Sequence, residues 1–204
     1  QVTNKLNFDI NKNLGFRQAT HEWILSLDAD ERPTDELVQE IQAIAGDSSC
    51  PYDGFKVPHR EYVLGFEVCG PKFTHLRFFR NGRGGLPGES VHQSIGVEGM
   101  IEELTGEILH YADASLFERV EKTNIYSQCM ASHWYHEGRQ FRLGDMIVRP
   151  IIAFLKYYLR TGIKNGVLGF IIAVNGAYSV FLRYAKLWSA YQLGEFPSPS
   201  DDFP

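Results

Sequence analysis

Asp28, Asp30 and Glu31 cluster at the end of the apolar run Trp23-Ile24-Leu25-Ser26-Leu27, with Ala29 between the two aspartates. Magnesium and manganese take oxygen ligands, and magnesium typically accepts one or two carboxylates while substrate phosphates complete its shell. The apolar run reads as a buried strand, and in open α/β sheets ligands gather beyond the carboxyl ends of strands. On a strand, Asp28 and Asp30 would point the same way and could share a cation. A second reading stays open. Pro33-Thr34-Asp35-Glu36 is a good helix start, so the acids also suit a strand running into a capped helix.

Leu76-Arg77-Phe78-Phe79-Arg80 carries two arginines whose spacing puts them on opposite faces of a strand, so one is placed to grip a phosphate and the other to pair with an acid. Gly82-Arg83-Gly84-Gly85 lacks both the GxGxxG spacing and a following helix, and reads as a turn. His133 and His136 share a helical face, but not in HExxH order and without a nameable third ligand. Packed helix surface explains them better.

The elements that must position these groups are legible in outline. Residues 5 to 21 read as helical, 23 to 27 as strand, and 35 to 45 as an amphipathic helix ending near Gly46. Residues 54 to 80 alternate as strands and turns, and the glycine-rich 82 to 99 read as loop. A helix over 115 to 137 should stop at Gly138, followed by helices around 143 to 161 and 166 to 190. At 204 residues with 44% hydrophobic content, the chain can bury a sizeable core. Its three cysteines, Cys50, Cys69 and Cys129, show no CxxC spacing, which excludes a disulfide framework or zinc module and fits a reducing cytosol. The first residue is Gln1, with no signal peptide pattern, so the expectation is a chain that begins partway through a longer protein.

The ordered set Asn13, Trp23 to Glu31, Leu76 to Arg80, Val91-His92, Gly106-Glu107-Ile108-Leu109-His110, Lys122 to Ser127, Gly138-Arg139, Arg149-Pro150 and Tyr184-Ala185-Lys186-Leu187 resembles family 2 glycosyltransferases. It is most similar to the branch containing lipopolysaccharide-core glucosyltransferases. The resemblance implies an α/β GT-A (Rossmann-like) core and inverting transfer of a sugar from a nucleotide-diphosphate donor. It also implies that this core lacks the N-terminal strand and turn that receive the nucleobase. Asp28-Ala29-Asp30 would be the DxD motif. Asp30 would bind a divalent metal (Mg2+ or Mn2+), Asp28 would lie near the donor's ribose or sugar, and Glu31 would orient both; Arg77 or Arg80 would grip the donor. His92 would serve as metal ligand or diphosphate donor, with His110 secondary. Where the branch shows Val-His-Glu, this chain has Val91-His92-Gln93, and an amide cannot act as a base. Glu89 is the replacement candidate for the general base that inverting transfer needs.

Domain boundaries follow: a partial catalytic domain over 1–112, amphipathic basic and aromatic helices over 113–192, and a disordered tail over 193–204. Residues 141 to 190 hold seven Lys or Arg against Asp145 alone, a charge of +6 that leaves −11 elsewhere. That surface suits anionic lipid headgroups, and hence a peripheral position on the inner face of the bacterial cytoplasmic membrane with a glycan or lipid-linked acceptor; no motif supports nucleic acid. The longest apolar stretch, Val167 to Val174, counts as too short to span a bilayer. Two other readings remain: a catalytically inactive remnant that binds membrane or a partner, and a metal-dependent nucleotidyltransferase.

Overall fold

A computed structural model describes residues 8–86 and 94–196. In chain order the elements are α1 (Phe8–Gln18), β1 (Trp23–Leu25), β2 (Glu31–Pro33), α2 (Asp35–Gly46), β3 (Gly54–Val63), β4 (Phe66–Glu67), β5 (Phe73–Arg80), β6 (Gly84–Gly85), β7 (Gly96–Val97), β8 (Ile101–Glu103), β9 (Ile108–Asp113), α3 (Leu116–His136), α4 (Leu143–Tyr157) and α5 (Gly166–Leu193). The mixed α/β chain divides into two compact units, Gln1–Tyr62 with Lys72–Ala112 and Val63–Pro71 with Asp113–Pro204.

In the first unit the sheet runs β1-β5-β3-β9-β2. β1 pairs antiparallel with β5, β5 with β3, and β2 with β9, while β8 lies parallel to β3. Period-two alternation along β5 sends consecutive phenylalanines to opposite faces. Phe78 packs with Leu37 of α2, Phe55, Val57 and Ile108. Phe79 packs on the other face with Ile24 and Leu76, and meets the Phe16 ring edge-on at 5.3 Å. One helix therefore covers each face of the sheet.

The strand read over 23–27 is shorter than its apolar run. It ends at Leu25, lies at the sheet's edge, and gives way to a turn. Asp28 and Asp30 thus sit between β1 and β2 rather than on one strand face. Ser26 N–H still donates to Arg77 O (2.8 Å) beside the β1–β5 ladder, and the chain then reverses in the turn closed by Glu31 N–H on Asp28 O (3.1 Å). α2 starts where its cap signal stands, with the Thr34 hydroxyl accepting from Leu37 N–H (3.3 Å) and from Glu107 N–H (3.1 Å). The glycine-rich segment read as loop contains the short antiparallel pair β6–β7.

In the second unit α3 opens on a Ser115 cap, with Glu118 reaching back one residue beyond it. Ser115 Oγ accepts from Glu118 N–H (3.1 Å) and Glu118 Oε2 accepts from Ala114 N–H (3.0 Å). It ends just before Gly138, as read. α4 continues through a π turn (Tyr158–Gly162) and a 3-10 turn (Ile163–Asn165) to Gly166, whose φ of 54° reverses the chain into α5. α4 and α5 then pack side by side, with Phe154 against Phe170 at 5.8 Å. Gly169 permits the close approach, because a Cβ there would collide with the Gly162 carbonyl. Counting unbroken apolar residues misjudged this region. The helix runs on through Asn175, and Leu143–Leu193 contains an 18-residue window of mean hydropathy 1.6, long and apolar enough by length and composition to cross a membrane. α5 extends to Leu193, and residues 197–204 of the expected tail lie outside the described residues.

Thr34 serves two backbone donors at once, so Thr34→Ala should lower stability by about 1–2 kcal/mol in urea unfolding. Thr34→Ser, which keeps the acceptor, should recover most of that loss.

Candidate functional site

The turn at Asp28–Glu31 is built around one buried carboxylate. Glu31 is 7% exposed, and Arg77 donates to its Oε1 at 2.6 Å while Asp28 N–H donates to its Oε2 at 2.9 Å. His59 Nε2 stands 3.3 Å from the same Oε1, at ion-pair distance but not aligned as a hydrogen bond. The other ring nitrogen, Nδ1, is 3.0 Å from the Val57 carbonyl, so only a doubly protonated ring offers a proton to both oxygens. Burial pushes the Glu31 carboxyl up, but His59, the Asp28 amide and the Arg77 charge outweigh it and hold the pKa at about 2. His75 packs edge-on against His59 at 4.9 Å, and its pKa is lowered by burial and by the charges of His59 and Arg77.

The two aspartates have different surroundings. Asp28 is held by Lys12 of α1 through Oδ1 (2.6 Å) and by Arg77 through Oδ2 (3.3 Å). The side chain of Asp30 is 41% exposed and faces His110 Nε2 at 3.6 Å. His110 Nδ1 lies 2.8 Å from Glu61 Oε2, and this bond, against the opposing effect of burial, raises the His110 pKa above its ordinary value. Tyr111 N–H donates to Asp30 O (2.9 Å), tying the turn to β9. Ala29, Asp30, Arg32 and Tyr111 line a cavity of about 200 Å³. The Arg32 guanidinium lies 5.6 Å over the Tyr111 ring, which stacks on Tyr62 at 5.0 Å. This wall offers a carboxylate, a guanidinium and an aromatic face together, a combination suited to a phosphorylated, ring-bearing ligand.

Asp28, Asp30, Glu31 and Arg77 are thus brought together. Arg80 is not. It lies 4.4 Å over the Trp23 ring, donating to Tyr52 O (3.1 Å) and Cys50 O (2.9 Å) and pairing with Glu22. The register of β5 against β3 shifts at Arg77, which reaches Glu31 and Asp28, whereas Arg80 is already engaged by these other partners. Glu89, His92 and Gln93 lie outside the described residues. The residue leading into them is clamped: Asn13 donates to Leu86 O (2.8 Å) and accepts from Leu86 N–H (3.0 Å).

Sequence reasoning missed Lys12, Arg32, His59, Glu61 and Tyr111. One signal was present, because His59 and Glu61 are two apart on a strand and so share a face. Lys12 and Tyr111 carry no local signal, since only helix docking and strand register bring them near the acids.

Among the described residues no group of three or more His, Cys, Asp or Glu could hold a metal ion. A magnesium ion completed by diphosphate and water needs only one or two carboxylates, and Asp30, exposed on the cavity wall, meets that requirement. Asp28 meets it less well, because Lys12 and Arg77 already engage both its oxygens.

The chain is 31% identical over 196 residues to the lipopolysaccharide core biosynthesis glycosyltransferase LpsC of Rhizobium meliloti (strain 1021), covering 93% of this chain and 72% of that protein. It is 27% identical over 190 residues to an uncharacterized glycosyltransferase of Rickettsia typhi, covering 86% of this chain and 65% of the relative. A similar protein of Rickettsia prowazekii is 26% identical over 193 residues, and the chain again spans 65% of its length. No family model matches the chain.

The depressed Glu31 pKa has a definite sign. Its contribution, on the order of 3 kcal/mol, is present above the ordinary value of 4.5 and lost as pH falls toward about 2. Urea midpoints of Glu31→Gln between pH 5 and 2 should therefore fall less steeply than those of the unsubstituted chain. His110 has the opposite sign: its raised pKa supplies stability below 6.5 that is lost as pH rises through the folded value. Its ring proton shifts should titrate above 6.5, and Glu61→Gln should bring the midpoint down.

Proposed function

Since the chain belongs to the glycosyltransferase family of lipopolysaccharide core biosynthesis, we propose that it moves a sugar from a nucleotide-diphosphate donor to a hydroxyl of a cell-envelope glycan or lipid-linked acceptor. The proposed frame is a family 2, hexosyltransferase-like GT-A core acting with inversion, at the inner face of the cytoplasmic membrane. The observation that carries this reading is the Asp28–Glu31 turn, fixed from below by Arg77 and His59 so that Asp30 faces the cavity beside Arg32 and Tyr111.

Each residue has a stated task. Asp30 holds the divalent cation, Mg2+ or Mn2+, together with the donor's diphosphate, and His92 is the second candidate ligand. When bound, the cation neutralises charge developing on the departing nucleoside diphosphate. Arg32 adds fixed positive charge on the same wall, where no solvent reorganisation is needed as the bond breaks, and His110 stands behind Asp30. Tyr111, stacked on Tyr62 with Arg32 over its ring, holds the Arg32 guanidinium at the cavity wall. Asp28, steadied by Lys12 and Arg77, accepts from ribose or sugar hydroxyls. Glu89 takes the proton of the attacking acceptor hydroxyl.

Hydrolysis of a panel of nucleotide sugars, with magnesium or manganese and then with chelator, tests the reading. Asp30→Asn should cut kcat/KM by about a hundredfold or more, as loss of a metal or oxyanion contact does. Arg80→Gln, which does not line the cavity, should leave it nearly unchanged. Turnover indifferent to chelator and to Asp30→Asn would overturn the mechanism.

A further inference from the structure

Glu107 anchors a charged cluster of the first unit that the proposed donor site does not use. Its side chain is 7% exposed; Arg60 donates to Oε2 through Nε (2.7 Å) and Nη2, and Lys72 donates to Oε1. Burial raises the Glu107 pKa, but the bonds and charges of Lys72 and Arg60 outweigh it and lower the pKa, so the acid stays ionised at neutral pH. One carboxylate thus faces two cations. The surplus positive charge reaches solvent, since the side chains of Lys72 and Arg60 are 57% and 38% exposed. An ammonium carries three N–H groups, and Glu107 takes one of those on Lys72.

The cluster is also fixed in place. Thr34 N–H donates to Glu107 O at 2.9 Å, and Glu107 N–H donates to Thr34 Oγ1 at 3.1 Å. Gly106 lets the chain come this close to α2, because a Cβ there would fall 2.4 Å from the Leu37 backbone. Arg60 and Tyr62 are two apart on β3, and Leu109 and Tyr111 are two apart on β9, with Glu107 preceding them by the same spacing. Arg60 meets Glu107, Tyr62 stacks on Tyr111, and Arg32 lies over the Tyr111 ring. Arg60, Tyr62, Tyr111 and Arg32 therefore form a row on one sheet face, with Arg60 about 7 Å from Tyr62 along the strand.

We infer that Arg60 and Lys72, pinned by Glu107, bind an anionic group of the sugar acceptor, a carboxylate or a phosphoryl group. This rests on the glycosyl-transfer reading above. Two neighbouring cations match the paired oxygens of such a group, and Glu107 holds both before it arrives, which lowers the ordering cost of binding. The donor's diphosphate is assigned to Asp30 and Arg32 at the other end of the row, so it does not compete for this end. An acceptor held at Arg60 can extend along Tyr62 and Tyr111 toward the cavity.

The full chain should be titrated with glucuronate, with glucose-6-phosphate and with neutral glucose, following the Arg60 Nε–H resonance by nuclear magnetic resonance. At least one of the two acids should move that resonance while glucose leaves it in place, and the tighter-binding acid assigns the group. Lys72→Gln should weaken binding about fivefold or more, whereas Lys72→Arg, which keeps the charge, should retain most of it. Position 72 is more than half exposed, so the circular dichroism of both variants should match the unsubstituted chain. Asp30→Asn should bind the acids as before. The inference is overturned if neither acid moves the resonance, if glucose moves it equally, or if Lys72→Gln binds as tightly as the unsubstituted chain. Donor turnover without acid binding would strike this inference alone. Acid binding at Arg60 without turnover of any nucleotide sugar would strike the donor reading, and with it the assignment of the anion to an acceptor.

Discussion

A carboxylate enclosed by protein is tolerated only when cations and donors surround it, and Glu31 imposes that demand on its whole neighbourhood. Arg77 comes from β5 and His59 from β3, while the Asp28 amide comes from the turn itself. Three stretches of chain are thereby drawn to one point. The turn closes reciprocally, because the Glu31 side chain accepts from Asp28 N–H while Glu31 N–H donates to Asp28 O. Removing one partner leaves a charge uncompensated in the interior, so the acidic turn has little freedom to rearrange.

The sheet decides which arginine can meet that demand. Phe78 and Phe79 must both be buried, and on a strand they can be so only on opposite faces. The register of β5 against β3 shifts between them and Leu76, so Leu76 packs with Phe79 although it stands two residues from Phe78, and Arg77 falls at the irregularity. From there Arg77 reaches Glu31 and Asp28, while the Trp23 ring and two carbonyls receive Arg80.

Local grammar was legible in the sequence. Thr34 announced the start of α2 and Gly138 the end of α3, whereas the register shift of β5 against β3 at Arg77 broke the simple alternation read for Arg77 and Arg80. The clustering of Asp28, Asp30 and Glu31 was visible as well, but its shape was not. The apolar run read as a strand through Leu27, whereas the strand ends at Leu25 and the chain reverses in the turn that Asp28 and Glu31 close between them. Lys12 and Tyr111 were invisible for a different reason, since their approach depends on helix docking and sheet register, and neither leaves a short-range trace. The apolar character of 143–193 was under-read because counting stopped at Asn175, although a helix carries single polar residues without losing its apolar face.

The pairing of Asp28 with Lys12 and Arg77 has an electrostatic consequence. Outside residues 141 to 190 the chain is acidic by eleven charges, and an unscreened acidic turn would repel any anion approaching it. Lys12 and Arg77 match Asp28 and Glu31 one for one, so the base of the turn is close to neutral. The remaining charges at the cavity mouth are then Asp30 and Glu61 against Arg32 and His110. A polyanion arriving there meets a locally balanced surface within an acidic protein, and a single bound cation is enough to make that surface attractive.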